Sequence, residues 1–289
     1  LFYCKMNKKP VKFPIHIIDH AYSKESFSLL SEQEGELLKT DPLPRNLAAY
    51  YSENSYISHQ KNFSSFTEKI YSVAKNYQLK KKTALLEKHL VGSKKVLDFG
   101  AGTGSLVSYL KNNKWHALGV EPSENARAIA LENNCVLYSS LEGIPNQQFN
   151  VITLWHVLEH LPDYSEKIDE LMRFLSPGGH LVLALPNFKS WDARHYKMHW
   201  AAFDVPRHLW HFSKIAIQQL AKDKGLVLEK TYPMPLDAFY VSLVSEKFKG
   251  SSQAFLLGFF KGFYSNLNAW ITGEYSSLIY VLKKPIEPL

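Results

Sequence analysis

The chain has 289 residues, 45% of them hydrophobic, which is enough for one large domain or a domain with an appendage. Its 34 Lys and Arg against 27 Asp and Glu give a net charge of +7 and a pI near 9.1, but the positive charge sits in small scattered clusters, such as 80–82 and 283–284, and reads as solvated surface before nucleic-acid face. The two cysteines, Cys4 and Cys135, exclude a disulfide framework and point to a cytoplasmic chain.

No apolar core comes after Lys5, Lys8 and Lys9, so no signal peptide is expected. In the first 90 residues, "VKFPIHIIDH", "SFSLLSE" and "GELLKT" predict short strands, and "DPLPRN" is a Pro-marked linker. "FTEKIYSVAKNYQLKKKTALLEKHL" has helical spacing and leads into the sheet.

From Lys94 on, short apolar runs alternate with helical patterns. "KKVLDFG", "WHALGVEP", "VLYSS", "FNVITLWHV" and "HLVLALPN" predict five strands. "GSLVSYLKNN", "SENARAIALENN" capped by Ser123, and "YSEKIDELMRFLSPGG" ending at its Pro-Gly-Gly predict the helices between them. "SKIAIQQLAKDKG" is a further helix with Ser213 as N-cap and Gly225 as stop. "LVLEKTYP" and "SSLIYVLKK" complete a seven-stranded, mostly parallel, doubly wound α/β sheet. A helical insertion, 237–273, falls before the last strand. Its apolar stretch at 255–271 is broken by Lys261, Asn266 and Asn268, so a membrane span is not expected, while a lid or a surface touching lipid stays open. The expected organisation is a small β appendage (1–45), linker and cap helices (46–90) and a Rossmann-like domain (91–289).

The most informative stretch is "VLDFGAGTGSL", which comes after a strand and opens a helix. A glycine turn there lets a ligand approach backbone N–H groups at a helix N-terminus. Gly100, Gly102 and Gly104 are spaced G-x-G-x-G, not the G-x-G-x-x-G of dinucleotide sites. Asp98, two residues ahead, suits a ligand that carries an ammonium group and is awkward beside a pyrophosphate.

These residues resemble the first motif of the class I S-adenosylmethionine-dependent methyltransferases. The resemblance covers about 83–285. It implies that Asp98, Gly100, Ala101, Gly102 and Gly104 form the cofactor turn and that Glu121 of "GVEPS", with Pro122 next to it, holds the ribose hydroxyls. It further implies that Ser140 and Leu141 lie by the adenine, and that Trp155 and His156 line the cofactor pocket. After the fourth strand, "LWHVLEHLPD" lacks the polar-Pro-Pro-aromatic tetrad of the enzymes that methylate amino groups of adenine bases or of protein glutamine. It is similar to the ubiquinone-type small-molecule O-methyltransferases, with Glu159, His160, Pro162 and Asp163 matching and His156 standing where that group has Glu. Some of that group bind a divalent cation there; with His156 in place, no metal is expected.

Bacterial enzymes of this general type often begin with a zinc ribbon. Here only Cys4 could be a thiolate ligand, and Asn7, Ser31 and Glu34 cannot complete a tetrahedral site, so a degenerate ribbon-like hairpin is expected, with an unrelated small β appendage as the alternative. Tyr51, Tyr56 and His59 are candidates for a cap over the cofactor. The long loop "HWAAFDVPRHLWHFS" (199–213) falls at the carboxyl ends of the strands, where open α/β sheets bind ligands. His208 or His211 is the expected general base, and Arg207 the group that positions an anionic acceptor. The leading expectation is a methyltransferase using S-adenosylmethionine on a small molecule, at oxygen. An RNA methyltransferase, and a non-catalytic S-adenosylmethionine-binding protein that docks a partner, remain alternatives. The acceptor and the oligomeric state are not readable from these residues.

Overall fold

The computed structural model describes residues 15–50 and 65–286. Six strands form the central sheet. In chain order they are β4 (Lys95–Phe99), β5 (His116–Val120), β6 (Phe149–Trp155), β7 (Leu175–Pro186), β9 (Val227–Pro233) and β10 (Ser277–Lys283), and in space they run β5-β4-β6-β7-β10-β9. The first four are mutually parallel, and β10 is antiparallel to both of its neighbours. The third of the seven expected strands is reduced to one parallel bridge, Val120 to Tyr138, because polar, exposed residues come directly after Tyr138.

Alternation along the strands splits the core into two layers. Leu97, Ile152, Leu154, Leu181, Leu183 and Tyr280 point to one face, which is packed by α4 (Tyr164–Phe174) and α6 (Lys214–Asp223). Val96, Val151, Val182 and Val281 point to the other, which is packed by α1 (Ser65–Lys88), α2 (Ser105–Asn112) and α3 (Glu124–Glu132). Ser123 and Ser213 cap α3 and α6 through their hydroxyls, as their positions predict. The α4 helix stops at Phe174, and the Pro-Gly-Gly expected to end it lies inside β7, where a Cβ on Gly179 would lie 2.9 Å from the Asn150 and Ser176 carbonyl oxygens.

The N-terminal strands β1 (Ile15–Ile18), β2 (Ser26–Glu32) and β3 (Leu37–Asp41) form an antiparallel sheet that gains a fourth strand, β8 (Trp210–Phe212), from the long loop. Cys4 and Asn7 of the expected ribbon, and Tyr51, Tyr56 and His59 of the expected cap, lie outside the described residues. The small sheet has its own core of Phe27, Leu29, Leu38, Trp200 and Phe203, shared with α5 (Trp191–Tyr196) and with Val241 of α7 (Pro235–Phe248). α7 pairs with α8 (Ala254–Thr272) as the expected helical insertion.

One buried carboxylate joins these parts. Asp192 accepts hydrogen bonds from the Trp200 indole, the Ser265 hydroxyl of α8 and the Ser276 hydroxyl just before β10, each at 2.7 Å. Asp192→Ala strands three buried donors and should lower stability by about 3–5 kcal/mol. Urea denaturation with tryptophan fluorescence measures this, and Asp192→Asn should recover part of the loss.

Candidate functional site

The glycine turn leaves β4 at its carboxyl end. Gly100, Gly102 and Gly104 all have positive φ (77°, 56° and 70°), a region that costs most side chains strain. Two of them also have no room for a side chain: a Cβ on Gly100 would lie 2.3 Å from Val157 and one on Gly104 2.7 Å from the Cys135 sulfur. At Gly102 a Cβ would meet nothing within 4 Å, so the turn opens there. The Gly100 and Ala101 N–H groups both donate to the Val120 carbonyl, which ties the turn to the end of β5.

Glu121 stands directly after that strand. Its carboxylate is nearly buried and accepts from the Gly102 N–H (2.8 Å) and the Ser123 N–H (2.9 Å). Each oxygen keeps a further lone pair for a ligand hydroxyl. Pro122 is exposed, and its carbonyl, like that of Glu121, accepts from Arg127. Ser140 is exposed, and Leu141 is buried in the core below it.

Asp98 sits on the floor of the turn, 3% exposed, and accepts a 2.6 Å hydrogen bond from Thr153. Burial pushes its carboxyl up to about 6, against the opposing pull of Thr153 and Lys82. A cavity of about 440 Å³ opens above it, lined by Asp98, Gly100, Ala101, Gly102, Trp155 and, from α1, Lys82. A second cavity of about 580 Å³ adjoins it, mostly apolar, with Leu85, Trp155, Met234, Leu236 and Ile279 in its wall and Asp237 at its rim. Gln78, Lys82 and Trp155 border both cavities. Lys82 lies 4.2 Å from the Trp155 ring centroid and within the field of both Asp98 and Asp237. Burial lowers the Lys82 ammonium from its usual value, and the two carboxylates pull it partly back. The buried Trp155 indole N–H finds no hydrogen-bond partner among the described residues.

Below the second cavity runs a chain of charges. His156, held at a φ of 56°, faces Glu159 through Nδ1 and Asp237 through Nε2, both at 3.4 Å. Burial pulls the imidazole down, but the two carboxylates outweigh it and hold it up to about 10. Glu159 is 1% exposed; burial pushes it up, and His156, His208 and His160 hold it below the usual carboxylate value.

The expected catalytic residues line neither cavity. The Arg207 guanidinium is forked onto Asp204 and lies 3.6 Å from Asp19 of the N-terminal sheet. His211 hydrogen-bonds through Nε2 to the Thr40 hydroxyl (3.0 Å), which itself donates to the His208 carbonyl, so the ring ties β8 to β3. Burial and the nearby His208 drive His211 down to about 3. His208 donates through Nδ1 to the Ala202 carbonyl, leaving Nε2 3.9 Å from Glu159. His160 packs edge-on to it and donates to the Arg207 carbonyl, and burial takes its ring down to about 4.

A methyltransferase-domain family profile matches residues 25–231, well over half of the chain. The chain belongs to the methyltransferase-domain family. Ubiquinone biosynthesis O-methyltransferases of Yersinia pestis and Yersinia pseudotuberculosis are 31% identical to it over 128 residues, 40% of this chain and 50% of theirs. The chain thus spans about half the length of the curated relatives it matches. Two crystal structures of magnesium protoporphyrin IX methyltransferase from Synechocystis PCC 6803 share the fold. The one with bound SAH is 16% identical, with a TM-score of 0.53 over 82% of this chain and 97% of that one. The one with bound SAM is 14% identical, with a TM-score of 0.51 over 85% and 100%. The β4 turn, Asp98 and Glu121 of this methyltransferase domain were legible as a group in the motif. Lys82, Gln78 and Asp237 were not: α1 and α7 bring them to the cavities, and no spacing within either segment signals it.

Because the Asp98 carboxyl is raised in the folded state above its ordinary value of 3.8, keeping it ionised opposes folding above pH 6, and that penalty fades as pH falls towards 4. Asp98→Asn should therefore stabilise the ligand-free domain by about 1–2 kcal/mol at pH 7.5, below the roughly 1.4 kcal/mol per unit limit because Lys82 loses a partner. Thermal melts at pH 7.5 and 4.5 test this, and the difference between variant and wild type should shrink at the lower pH.

Proposed function

We propose that this domain transfers a methyl group from S-adenosylmethionine to a small-molecule acceptor, at oxygen. The observation that carries the reading is the pair of adjoining cavities, one over the glycine turn and Asp98, the other apolar, meeting at Lys82 and Trp155. A volume near 440 Å³ falls in the range of small-ligand sites. The open backbone at Gly102 and the carboxylate below it fit a ligand with a cationic amino-acid end and a flat, polar nucleoside end. Asp98 would face its ammonium, Glu121 its ribose hydroxyls, and the backbone around Ser140 and Leu141 its base. When bound, S-adenosylmethionine supplies a sulfonium-activated methyl group, transferred by in-line displacement.

The chain's own contribution is alignment and charge. Lys82, at the shared wall, favours a deprotonated acceptor oxygen over a neutral hydroxyl. Asp237 is the carboxylate placed to take the hydroxyl proton, and His156, cationic at neutral pH, orients it from behind with Glu159 as its counter-charge. On this reading Arg207 and His211 secure the loop against the N-terminal sheet, and His208 supports Glu159 from the far side. On this reading α1 acts as a cap, supplying Gln78 and Lys82 to both cavities. The ubiquinone-type relatives support oxygen as the methylated atom.

Two measurements test the reading. Isothermal titration with S-adenosylhomocysteine should give binding that weakens about 10- to 100-fold in Glu121→Ala, from the loss of charge-assisted hydrogen bonds. Because Asp98 binds an ammonium only when ionised, affinity should also fall as pH drops through 6, approaching tenfold per unit. In a methyl-transfer assay over a panel of phenols and catechols, Asp237→Asn should lower kcat about 100-fold or more with cofactor affinity unchanged. His208→Ala should keep most of the turnover; if it abolishes turnover and Asp237→Asn does not, the base lies in the loop.

A further inference from the structure

The α8 helix is turned inside out. Its buried positions are small: Gly258, Gly262, Ser265 and Ala269. A Cβ on Gly258 would lie 2.6 Å from the Leu243 backbone, and one on Gly262 2.7 Å from that of Phe239, so α8 lies backbone to backbone against α7. The large apolar side chains are left facing outward. Phe255, Trp270 and Ile271 are 78–85% exposed, and Phe260, Phe263 and Leu267 between them are 45–58% exposed. A soluble helix normally buries such residues and shows its polar ones. A contiguous exposed apolar face of this extent marks an interaction surface.

We infer that the outward face of α8 docks the domain onto an anionic lipid bilayer, lying in the interface with its aromatic side chains among the acyl chains. Charge chooses this occupant. In its 19 residues α8 carries no acidic side chain and one basic one, Lys261. The Lys261 ammonium sits 5.9 Å from the Trp191 ring, and Lys249 lies 5.9 Å from the Tyr196 ring on the neighbouring helix; both act on His195, opposed there only by the buried Glu246 and Asp192. A second copy of α8 would offer these lysines no carboxylate, whereas anionic headgroups satisfy them. The face carries Phe255, Phe260, Phe263 and Trp270, which suits a headgroup boundary. Among the described residues no helix is long and apolar enough to cross a membrane, so the helix lies on the bilayer and does not span it. The inference does not depend on methyl transfer.

Sedimentation of the full chain with sucrose-loaded vesicles tests it. The wild type should pellet with phosphatidylcholine vesicles containing phosphatidylglycerol, more weakly with phosphatidylcholine alone, and the Trp fluorescence should shift to the blue by an amount that Trp270→Phe reduces. A Phe260→Asp/Trp270→Asp double variant should partition at least about 100-fold less while its thermal midpoint is unchanged, since both residues are exposed. Lys261→Glu should weaken binding to the anionic vesicles only. The inference is overturned if the wild type stays in the supernatant with both vesicle types, or if the double variant pellets as well as the wild type. It is also overturned if sedimentation velocity shows a wild-type dimer that the double variant splits, because the occupant is then a second copy.

Discussion

The structure turns on a carboxylate kept in a dry place. Asp98 is buried beneath a turn whose backbone has to stay open, and the surroundings push its carboxyl towards neutrality. A hydrophobic residue there would fold more comfortably. The turn above it accepts three left-handed glycines, each under a different constraint: Gly100 against Val157, Gly104 against Cys135, and Gly102 against open space. Under the function proposed above, stability is given up at this point so that a cation can be received, which is how binding sites commonly differ from the rest of a fold.

The chemically dense loop at 199–213 has a different character. Its arginine, histidines and aspartate face each other and the N-terminal strands: Arg207 to Asp204 and Asp19, His211 to Thr40, Trp210 to the Pro162 carbonyl. Buried polar groups of this kind have to find partners, and here several of the partners come from residues more than a hundred positions away. The loop therefore joins the small sheet to the large one through β8. The four-stranded sheet, α5 and α7 share one core, and Asp192 fastens that core to α8 and the approach to β10. The position of α7, and with it Asp237, rests on these contacts.

Local physics sets how much the residues alone disclose. Strand alternation, serine caps and the glycine turn are short-range features, and β4 to β7, the caps of α3 and α6, and the grouping of Asp98 with Glu121 could all be read directly. The third strand failed because "VLYSS" has the right composition but only Tyr138 reaches a partner. The pairing of β8 with β3 was invisible, since three residues in a long loop carry no periodicity. Lys82 looked like one lysine in a basic run, and Asp237 only like the start of a helical insertion. Both matter through helix placement, which is a tertiary property. His156 and Glu159 were visible only as members of one motif, and their shared partner, Asp237, lies 78 positions beyond Glu159 and could not be inferred from spacing.

The central claim is that the glycine turn and the wall formed by Lys82 and Trp155 divide a cofactor cavity from an acceptor cavity. A crystal structure of the chain with S-adenosylhomocysteine tests this most directly. The account predicts density over Gly102, with the ligand's ammonium against Asp98, its ribose hydroxyls on Glu121 and its sulfur directed towards Lys82 and Trp155. Density that fills the apolar cavity beside Leu85 and Met234, or that sits in the loop against Arg207 and His208, would contradict it.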